Sequence, residues 1–247
     1  MTNYGSLVEL RISNEELVNL NLEKNNLIGI VSHDLRNPLS QISSLISLIR
    51  MKSTSNEETA EYLDLMKETV HRLNQLIIKI LDVEAIESKK INLKIESLNL
   101  SEILETVITR HSKDAANNNI SIEKQIPGEI YGIADKNFIE QVLENLLSNA
   151  VKFSPPGCRV YVSLLAAANK VRFEIKDEGP GLTDEDKQKL FGKFQKLSAR
   201  PTGGESSTGL GLSITKKFVE AMHGKIWCES ETGKGARFMV ELHQNQT

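Results

Sequence analysis

The hydrophobic positions of the first 90 residues recur with the spacing of α-helices. Between residues 10 and 31, apolar side chains return at intervals of three, four and seven, a pattern typical of a coiled-coil helix. After a polar break at Lys52–Asn56, a second stripe begins. The two stripes contain Leu35, Leu39, Ile42, Ile46 and Ile49, and then Leu65, Thr69, Leu73, Leu76 and Ile80. The pattern predicts a helical hairpin, with Ser55 and Glu58 as a capping box for its second helix.

A single hairpin offers no partner layer against which its two apolar stripes can be buried. Two hairpins can bury all four stripes together in a four-helix bundle. We therefore expect the chain to form a homodimer through this region.

After residue 90 the pattern changes to alternating apolar positions, typical of half-buried strands, between amphipathic helices. The predicted strands are Asn92–Glu96, Ser121–Gln125, Tyr131–Ala134, Arg159–Leu165, Lys170–Lys176, Lys225–Ser230 and Ala236–Leu242, and the predicted helices are Ser101–Ala116, Lys136–Lys152 and Leu212–Met222. The fourth and fifth strands could pair as a hairpin. Strands with helices that cover one face predict a two-layer α/β sandwich. The fold class is thus α+β, a helical hairpin followed by a sandwich domain.

The distribution of glycine supports this division of the chain. Only Gly5 and Gly29, of fifteen glycines, precede residue 127, and a glycine-poor segment rich in Leu, Ile, Glu and Lys is typical of long helices. We predict a coiled-coil helix at 1–28, a helical dimerisation domain at 29–90 and an α/β domain at 91–247.

Composition excludes several classes of protein. Thirty basic and 33 acidic residues give a net charge of −3, whereas dedicated nucleic-acid binders usually carry a basic excess. No apolar run approaches the ~18–20 residues that span a bilayer, and no signal peptide begins at Met1. Cys158 and Cys228 fit neither a disulfide framework nor a metal motif. We expect a cytoplasmic protein, or the cytoplasmic part of a larger one, that contacts neither nucleic acid nor membrane within this chain.

The first group of residues with chemical potential lies in the first predicted helix. His33 is adjacent to Asp34 and shares a helical face with Asn37 at i,i+4. A neutral imidazole is a good nucleophile near neutral pH, and Asp34 could orient the ring or take its proton. Pro38 should loosen or kink the helix nearby. The ordinary alternative is a solvated histidine beside an aspartate, and we keep that interpretation for the other four histidines.

A second group lies on the helix predicted at Lys136–Lys152. Asn145, Asn149 and Lys152 recur at spacings of four and three and so line one face. Two amides and an ammonium there could hold a metal ion through oxygen and neutralise phosphate. A polar outer face on an amphipathic helix is the common alternative.

Two glycine motifs complete the candidate chemistry. Asp177-Glu178-Gly179-Pro180-Gly181 follows a predicted strand, and its glycines permit positive φ and a close approach of ligand to backbone. Gly209-Leu210-Gly211-Leu212 opens a helix whose N-terminal amides favour an anion such as phosphate. Alone, the first could be a plain glycine turn and the second a flexible loop before a helix.

Together, the order and spacing of these motifs resemble the catalytic core of bacterial-type sensor histidine kinases over nearly the whole chain. The segment His33–Pro38 resembles the phospho-acceptor box of the dimerisation and histidine-phosphotransfer domain. The ATP-binding residues that the resemblance implies are Asn145, Asn149, Lys152 and Phe153 of the asparagine box, Asp177, Gly179 and Gly181 of the first glycine box, Phe191 and Phe194 of the phenylalanine box, and Thr208, Gly209, Leu210, Gly211 and Leu212 around the second glycine box. Residues Gln195–Thr208 correspond to the mobile lid over ATP.

The resemblance implies a mechanism with ATP and Mg²⁺. Asp177 would accept the adenine amino group and Asn149 would help to hold Mg²⁺, with Asn145 and Lys152 near the triphosphate. His33 would attack the γ-phosphate while Asp34 accepts its proton. The phosphoryl group would then pass to an aspartate in the receiver domain of a response regulator on another chain.

The resemblance also carries three finer expectations. Asn37 could position water to dephosphorylate the regulator. Asn145 stands where related gyrase- and chaperone-type ATPases have a glutamate base, and Glu144 points about 100° away, so hydrolysis should be slow. Ala236 stands where the family often has Ser or Thr, which should slightly weaken nucleotide binding.

Two other functions compete with a kinase. One is a dimeric scaffold that binds nucleotide only as a conformational switch, which the loss of His33, Asn149 or Asp177 would have favoured. The other is a gyrase- or chaperone-like ATPase, against which Asn145 and the His33 helix argue. The sequence leaves open the input signal, the cognate regulator and whether phosphorylation occurs within or between subunits.

Overall fold

The computed structural model describes residues 35, 38–49, 58–67, 69–70, 73, 93–193, 195, 197–202 and 209–244. The chain divides into two compact units, Met1–Leu81 and Asp82–Thr247. The domain boundary predicted near residue 90 lies outside the described residues and stays a prediction, as does the boundary at residue 28. None of the described helices contains a stretch long and apolar enough to cross a membrane.

In the first unit, residues 38–49 form helix α1 and residues 58–67 form helix α2. The predicted turn between them, with its capping box, is outside the described residues. Both helices expose large apolar side chains, which include Leu39, Ile46, Leu48, Leu63 and Leu65 at 41–54% of their full accessible area. A single chain therefore leaves much of both predicted apolar stripes unburied.

The second unit alternates strands and helices. Its elements are β1 (Ile95–Asn99), α3 (Leu100–Asn117), β2 (Ser121–Gln125), β3 (Tyr131–Asp135), α4 (Lys136–Phe153), β4 (Arg159–Ala167), β5 (Lys170–Lys176), α5 (Asp184–Lys189), α6 (Gly211–Ala221), β6 (Lys225–Ser230) and β7 (Ala236–His243). A five-stranded sheet has the order β2-β4-β5-β7-β6, and β1 pairs with β3 in a separate two-stranded sheet. Among the described strand pairs, only β2–β4 is parallel.

The alternation of side chains along the strands forms the core. In β4, Val160, Val162 and Leu164 are buried, whereas Tyr161 and Ser163 face the other side of the sheet. The buried side chains join those of α3, α4 and α6 in one hydrophobic cluster. This is the predicted two-layer α/β sandwich, with helices on one face of the sheet.

Two aromatic rings and one carboxylate fix the position of α4. Phe138 of α4 stacks on Phe218 of α6, with ring centroids 4.3 Å apart. Asp135 caps α4 because its Oδ1 accepts hydrogen bonds from the backbone nitrogens of Asn137 and Phe138. Its Oδ2 accepts a hydrogen bond of 2.8 Å from the Lys94 backbone nitrogen. The same residue thus begins the helix and holds the chain that leads into β1.

Most predicted elements are confirmed to within two residues, and β2, β5 and β6 have the predicted bounds. The strand predicted at Asn92–Glu96 is wrong by three residues, because antiparallel pairing with β3 and the Lys94–Asp135 bond place β1 at Ile95–Asn99. Helix α5 was not predicted. Its sequence signal was a capping box, in which Thr183 and Asp186 bond to each other's backbone nitrogens.

Candidate functional site

Helix α4 presents a polar face above the hydrophobic core. Asn145 and Asn149 are half-buried on this face and Lys152 is exposed, in the order that the helical spacing predicts. The opposite side of the helix is buried, including Leu143, Leu146, Leu147 and Ala150. Because the buried side fixes the rotation of α4, the two amides are held at defined places.

Asn145 joins α4 to the beginning of α6. Its Nδ2 lies 2.8 Å from Oγ1 of Thr215, a residue that is only 1% exposed. The Thr215 hydroxyl also lies 2.9 Å from the Gly211 carbonyl oxygen. A Cβ on Gly211 would lie 2.5 Å from Asn145 Oδ1, so any other residue at this position would displace the Asn145 amide. The structure therefore places the asparagine and second glycine motifs in contact.

Asp177 is a buried carboxylate at the end of β5, with 4% of its area exposed. Its Oδ1 accepts hydrogen bonds from the backbone nitrogens of Gly179, at 2.9 Å, and Ala236, at 3.0 Å. Its Oδ2 accepts no hydrogen bond from another described residue. Burial raises the pKa of Asp177, and the two amide bonds act in the opposite direction. A buried acceptor atom is therefore available to a ligand that brings a donor.

Close backbone approaches explain the glycines of the first motif. Gly181 has φ +70°, and a Cβ there would collide with the Glu231 carbonyl oxygen. A Cβ on Gly179 would lie 2.7 Å from the carbonyl oxygen of Phe153, the last residue of α4. The motif consequently lies directly against the end of the helix that carries both asparagines.

Glu178, inside this motif, was not singled out from the sequence. Its carboxylate accepts hydrogen bonds from the Arg159 backbone nitrogen at 2.9 Å and from the Tyr161 hydroxyl at 3.1 Å. These bonds lower the pKa of Glu178. They also fix the first glycine motif to β4. The neighbouring Asp177 is thereby held through Glu178 to β4 and through its own hydrogen bond to Ala236 of β7.

An open cavity of about 570 Å³ lies beside the first glycine motif. It is lined by Phe153, Pro155, Glu178, Gly179, Pro180, Ser198, Ala199, Arg200, Thr202 and Gly233. Thr202 also contacts the end of α4, because its backbone nitrogen donates a hydrogen bond of 2.9 Å to the Lys152 carbonyl oxygen. This bond satisfies a carbonyl that the end of a helix leaves without an intrahelical partner. The first part of the predicted lid is thus anchored on α4.

Helix α6 begins within the second glycine motif. Gly209 has φ +66°, Leu210 occupies the N-cap position without a side-chain cap, and the helix starts at Gly211. Leu210 is buried and Leu212 packs against the core. The backbone nitrogens of this first turn are suited to an anion.

The remaining predicted site residues divide into two groups. Phe191 packs against the core, and the Lys216 ammonium lies 5.9 Å from the centre of its ring. Phe194 and Thr208, together with His33, Asp34 and Asn37, lie outside the described residues. Their roles stay predictions.

The side-chain amide of the candidate metal ligand Asn149 has no hydrogen-bond partner within the described part of the chain. An amide oxygen is a ligand that suits Mg²⁺, which usually keeps several waters and takes few protein ligands. Among the described residues, no cluster of three or more His, Cys, Asp or Glu side chains could hold a metal by itself. A single amide oxygen is suited to a Mg²⁺ ion that takes most of its other ligands from water and substrate phosphates.

Two family models match the chain. A model described as His Kinase A (phospho-acceptor) domain matches residues 23–89. A model described as Histidine kinase-, DNA gyrase B-, and HSP90-like ATPase matches residues 134–246. The second match contains all the described residues of the site.

Similar curated proteins are sensor kinases. The sensor protein kinase WalK of Staphylococcus saprophyticus is 28% identical over 224 residues, which is 89% of this chain and 36% of the relative. The sensor protein SrrB of Staphylococcus aureus is 29% identical over 240 residues, which is 96% of this chain and 41% of the relative. The chain thus spans well under half the length of these relatives.

Solved structures of histidine kinases have the same fold. The histidine kinase ThkA, in complex with the response regulator protein TrrA, is 26% identical, with a TM-score of 0.67 over 99% of this chain and 68% of that chain. ShkA, in complex with AMPPNP, is 25% identical, with a TM-score of 0.67 over 90% of this chain and 46% of that chain. The Acinetobacter baumannii kinase AdeS, at 23% identity, has a TM-score of 0.67 over 87% of this chain and 98% of that chain, a likeness of fold.

Proposed function

Because the chain belongs to the sensor histidine kinases and contains their catalytic core, we propose that it is an ATP-dependent protein-histidine kinase of a two-component system. It transfers the γ-phosphoryl group of ATP to His33 and then to an aspartate of a response regulator. The observation that carries this proposal is the buried Asp177 carboxylate, which keeps one oxygen unbonded among the described residues.

Asp177 makes the site selective for adenine. Its Oδ1 is occupied by two backbone donors, so Oδ2 is the atom that accepts the hydrogen bond of the adenine amino group. A purine with a carbonyl at this position would place an acceptor against a buried carboxylate. Such a mismatch leaves a buried charge unpaired and is strongly unfavourable.

The phosphates of ATP are bound between α4 and the first turn of α6. The uncapped first turn of α6 supplies backbone nitrogens, and the exposed Lys152 supplies a positive charge. The Asn149 amide oxygen would be a protein ligand for Mg²⁺, with Asn145 beside it on the same face. When bound, Mg²⁺ offsets the charge of the triphosphate during phosphoryl transfer.

Two features favour transfer to His33 over hydrolysis of ATP. The amide of Asn145 cannot act as a general base. Its neighbour Glu144 is engaged elsewhere, because its carboxylate accepts a hydrogen bond of 2.6 Å from Arg110 on α3. The γ-phosphate is therefore kept for the neutral ring of His33, whose proton passes to Asp34.

We propose two protein partners. The first is a second copy of the chain, because the exposed apolar side chains of α1 and α2 need a covering layer. The second is a response-regulator receiver domain, for which the ThkA–TrrA complex is a precedent in a similar protein. The expected location of this core is the cytoplasm, and Asn37 is the candidate residue for dephosphorylation of the regulator.

The proposal is tested with γ-labelled ATP and Mg²⁺. The wild type should acquire acid-labile, alkali-stable label, and His33→Gln should acquire none. His243→Gln is the matched control, since His243 is exposed in β7 and should label as the wild type does. No label with nucleotide binding intact would indicate the switch scaffold, and steady hydrolysis without label would indicate the gyrase-like ATPase.

A further inference from the structure

Thr215 is a buried polar residue that the catalytic motifs do not include. It lies on α6 with 1% of its area exposed, between Asn145 of α4 and the first residue of its own helix, Gly211. Its Oγ1 is 2.8 Å from Asn145 Nδ2 and 2.9 Å from the Gly211 carbonyl oxygen. The hydroxyl is therefore the polar link between the asparagine motif and the second glycine motif.

The number of hydrogens on each group determines which one donates in the two hydrogen bonds of the Thr215 hydroxyl. A threonine hydroxyl has one hydrogen, and the Gly211 carbonyl oxygen can only accept. The hydroxyl thus donates to Gly211 and accepts from Asn145, for which the amide must turn its nitrogen towards α6. Oδ1 of Asn145 is consequently left without a hydrogen bond from any residue that the structure describes.

We propose that Thr215 is a positioning residue that fixes the orientation of the Asn145 amide, so that its oxygen is available to the Mg²⁺–ATP complex. This inference rests on the proposed function of the site. A flipped amide would present two N–H donors, which cannot ligate a cation. The absence of a side chain on Gly211 gives Oδ1 the space that this orientation requires.

Two substitutions at position 215 separate the orientation of the Asn145 amide from the packing around Thr215. Valine has nearly the shape of threonine and the same branch at Cβ, but it has no hydroxyl. Thr215→Val therefore preserves the packing of a nearly fully buried position while the Asn145 amide loses its acceptor. Thr215→Ser is the matched control, because it keeps the hydroxyl and removes only a methyl group.

The first measurement uses the full chain without nucleotide. The side-chain amide resonance of Asn145 is assigned by its loss in Asn145→Ala, and the exchange of its hydrogens with solvent is measured by NMR. Exchange should be about tenfold faster in Thr215→Val than in the wild type or Thr215→Ser, as expected for loss of a buried hydrogen bond. An unchanged exchange rate in Thr215→Val would overturn the proposal.

The second measurement is the ratio of the ATP dissociation constants without and with Mg²⁺. Thr215→Val should reduce this ratio by about tenfold with little change in the Mg²⁺-free constant, whereas Thr215→Ser keeps the wild-type ratio. A valine variant that keeps the ratio within about twofold contradicts the inference. If the wild type binds no ATP, the proposed function fails, and the amide exchange still decides whether Thr215 orients Asn145.

Discussion

The backbone nitrogen of Ala236 donates a hydrogen bond of 3.0 Å to Oδ1 of Asp177, across 59 positions of sequence. In the other direction, the Asp177 backbone nitrogen donates a hydrogen bond of 2.9 Å to the Ala236 carbonyl oxygen. This reciprocal pair holds the start of β7 against the end of β5. It commits Oδ1 to the protein, so Oδ2 is the oxygen available to a ligand.

Asp177→Asn should fold and lose affinity for adenine nucleotides. The asparagine oxygen can accept the two backbone bonds of Oδ1, and its NH₂ group then faces the adenine amino group, donor against donor. We expect ATP affinity to fall by about 10- to 100-fold, measured by titration calorimetry. Glu174→Gln, a change on the other face of the same strand, is the control and should bind as the wild type does. Wild-type affinity in Asp177→Asn would contradict the adenine role.

Nucleotide affinity should also depend on the protonation of Asp177. Burial raises the pKa of this carboxyl, so protonation begins at a higher pH than for an exposed aspartate. Because the ligand donates its hydrogen to the carboxylate, affinity should fall as the pH decreases through this raised pKa. When the same pH series is measured on Asp177→Asn, the pH dependence caused by the Asp177 carboxyl should be absent. The pH dependence caused by the phosphates of the nucleotide should remain. Identical pH profiles of nucleotide affinity for the two proteins would contradict the prediction.

Two glycines with similar backbone conformation separate steric contact from backbone strain. Gly181 has φ +70° and its Cβ would strike the Glu231 carbonyl oxygen, whereas Gly233 has φ +84° and open space around its Cβ. Gly233→Ala should cost about 1–2 kcal/mol, a fall in Tm of about 2–8 °C. Gly181→Ala should lower Tm by clearly more. Equal losses would mean that the loop relaxes away from the contact.

Asp186 should stabilise the start of the lid in a pH-dependent way. Its carboxylate accepts hydrogen bonds from the Ser198 hydroxyl and, at 2.9 Å, from the Ser198 nitrogen, as well as from Thr183. The Ser198 hydroxyl is the leading cause that lowers the pKa of Asp186 to about 2. A lowered carboxyl pKa means stability that is complete above the ordinary pKa and is lost as the pH falls towards about 2.

The matched pair for Asp186 is Asp186→Asn and Asp184→Asn, two changes in the first turn of α5. Asp184 is 94% exposed in its side chain, and its only ion pair among the described residues is with Lys187, so its loss should change Tm little. Asp186→Asn should lower Tm by several times more at pH 7, and its difference from the wild type should shrink between about pH 4 and pH 2. A difference that is constant with pH would exclude the charge as its cause.

Asn37→Ala should separate the two activities expected of the His33 helix. His33 should still acquire label from ATP, because the amide is not needed for nucleophilic attack. Dephosphorylation of the labelled regulator should be lost, as measured by release of phosphate. Asn56→Ala, in the predicted turn of the same domain, serves as the control and should keep both activities. Unchanged dephosphorylation in Asn37→Ala would refute the role.

The exposed apolar side chains of the first unit predict how the proposed dimer can be broken. Ile46 is 46% exposed on α1, and a charge there would have to be buried in the bundle. Ile46→Asp should shift the chain to a monomer in sedimentation experiments. Ser47→Asp places the same charge on the neighbouring exposed residue and should stay dimeric. A dimeric Ile46→Asp variant would place the interface elsewhere.

The fold was largely predictable because local patterns report burial. Alternation gave the bounds of β2, β5 and β6, and the helical period gave α4 with its two asparagines on one face. The position of β1 was wrong because it is set by Asp135, which lies 41 positions after Lys94. Helix α5 is too short for a period to be recognised, although its capping box was visible.

By itself, the sequence indicated candidate residues for the chemistry and located most of the helices and strands, since residue type, spacing and period are properties of a short segment. The tertiary structure decided which motifs meet: Asn145 with Thr215 and Gly211, and Asp177 with Ala236. It also decided the parallel pairing of β2 with β4. Such contacts depend on strand register and on where each buried donor finds its acceptor, and both are settled only when distant segments pack together.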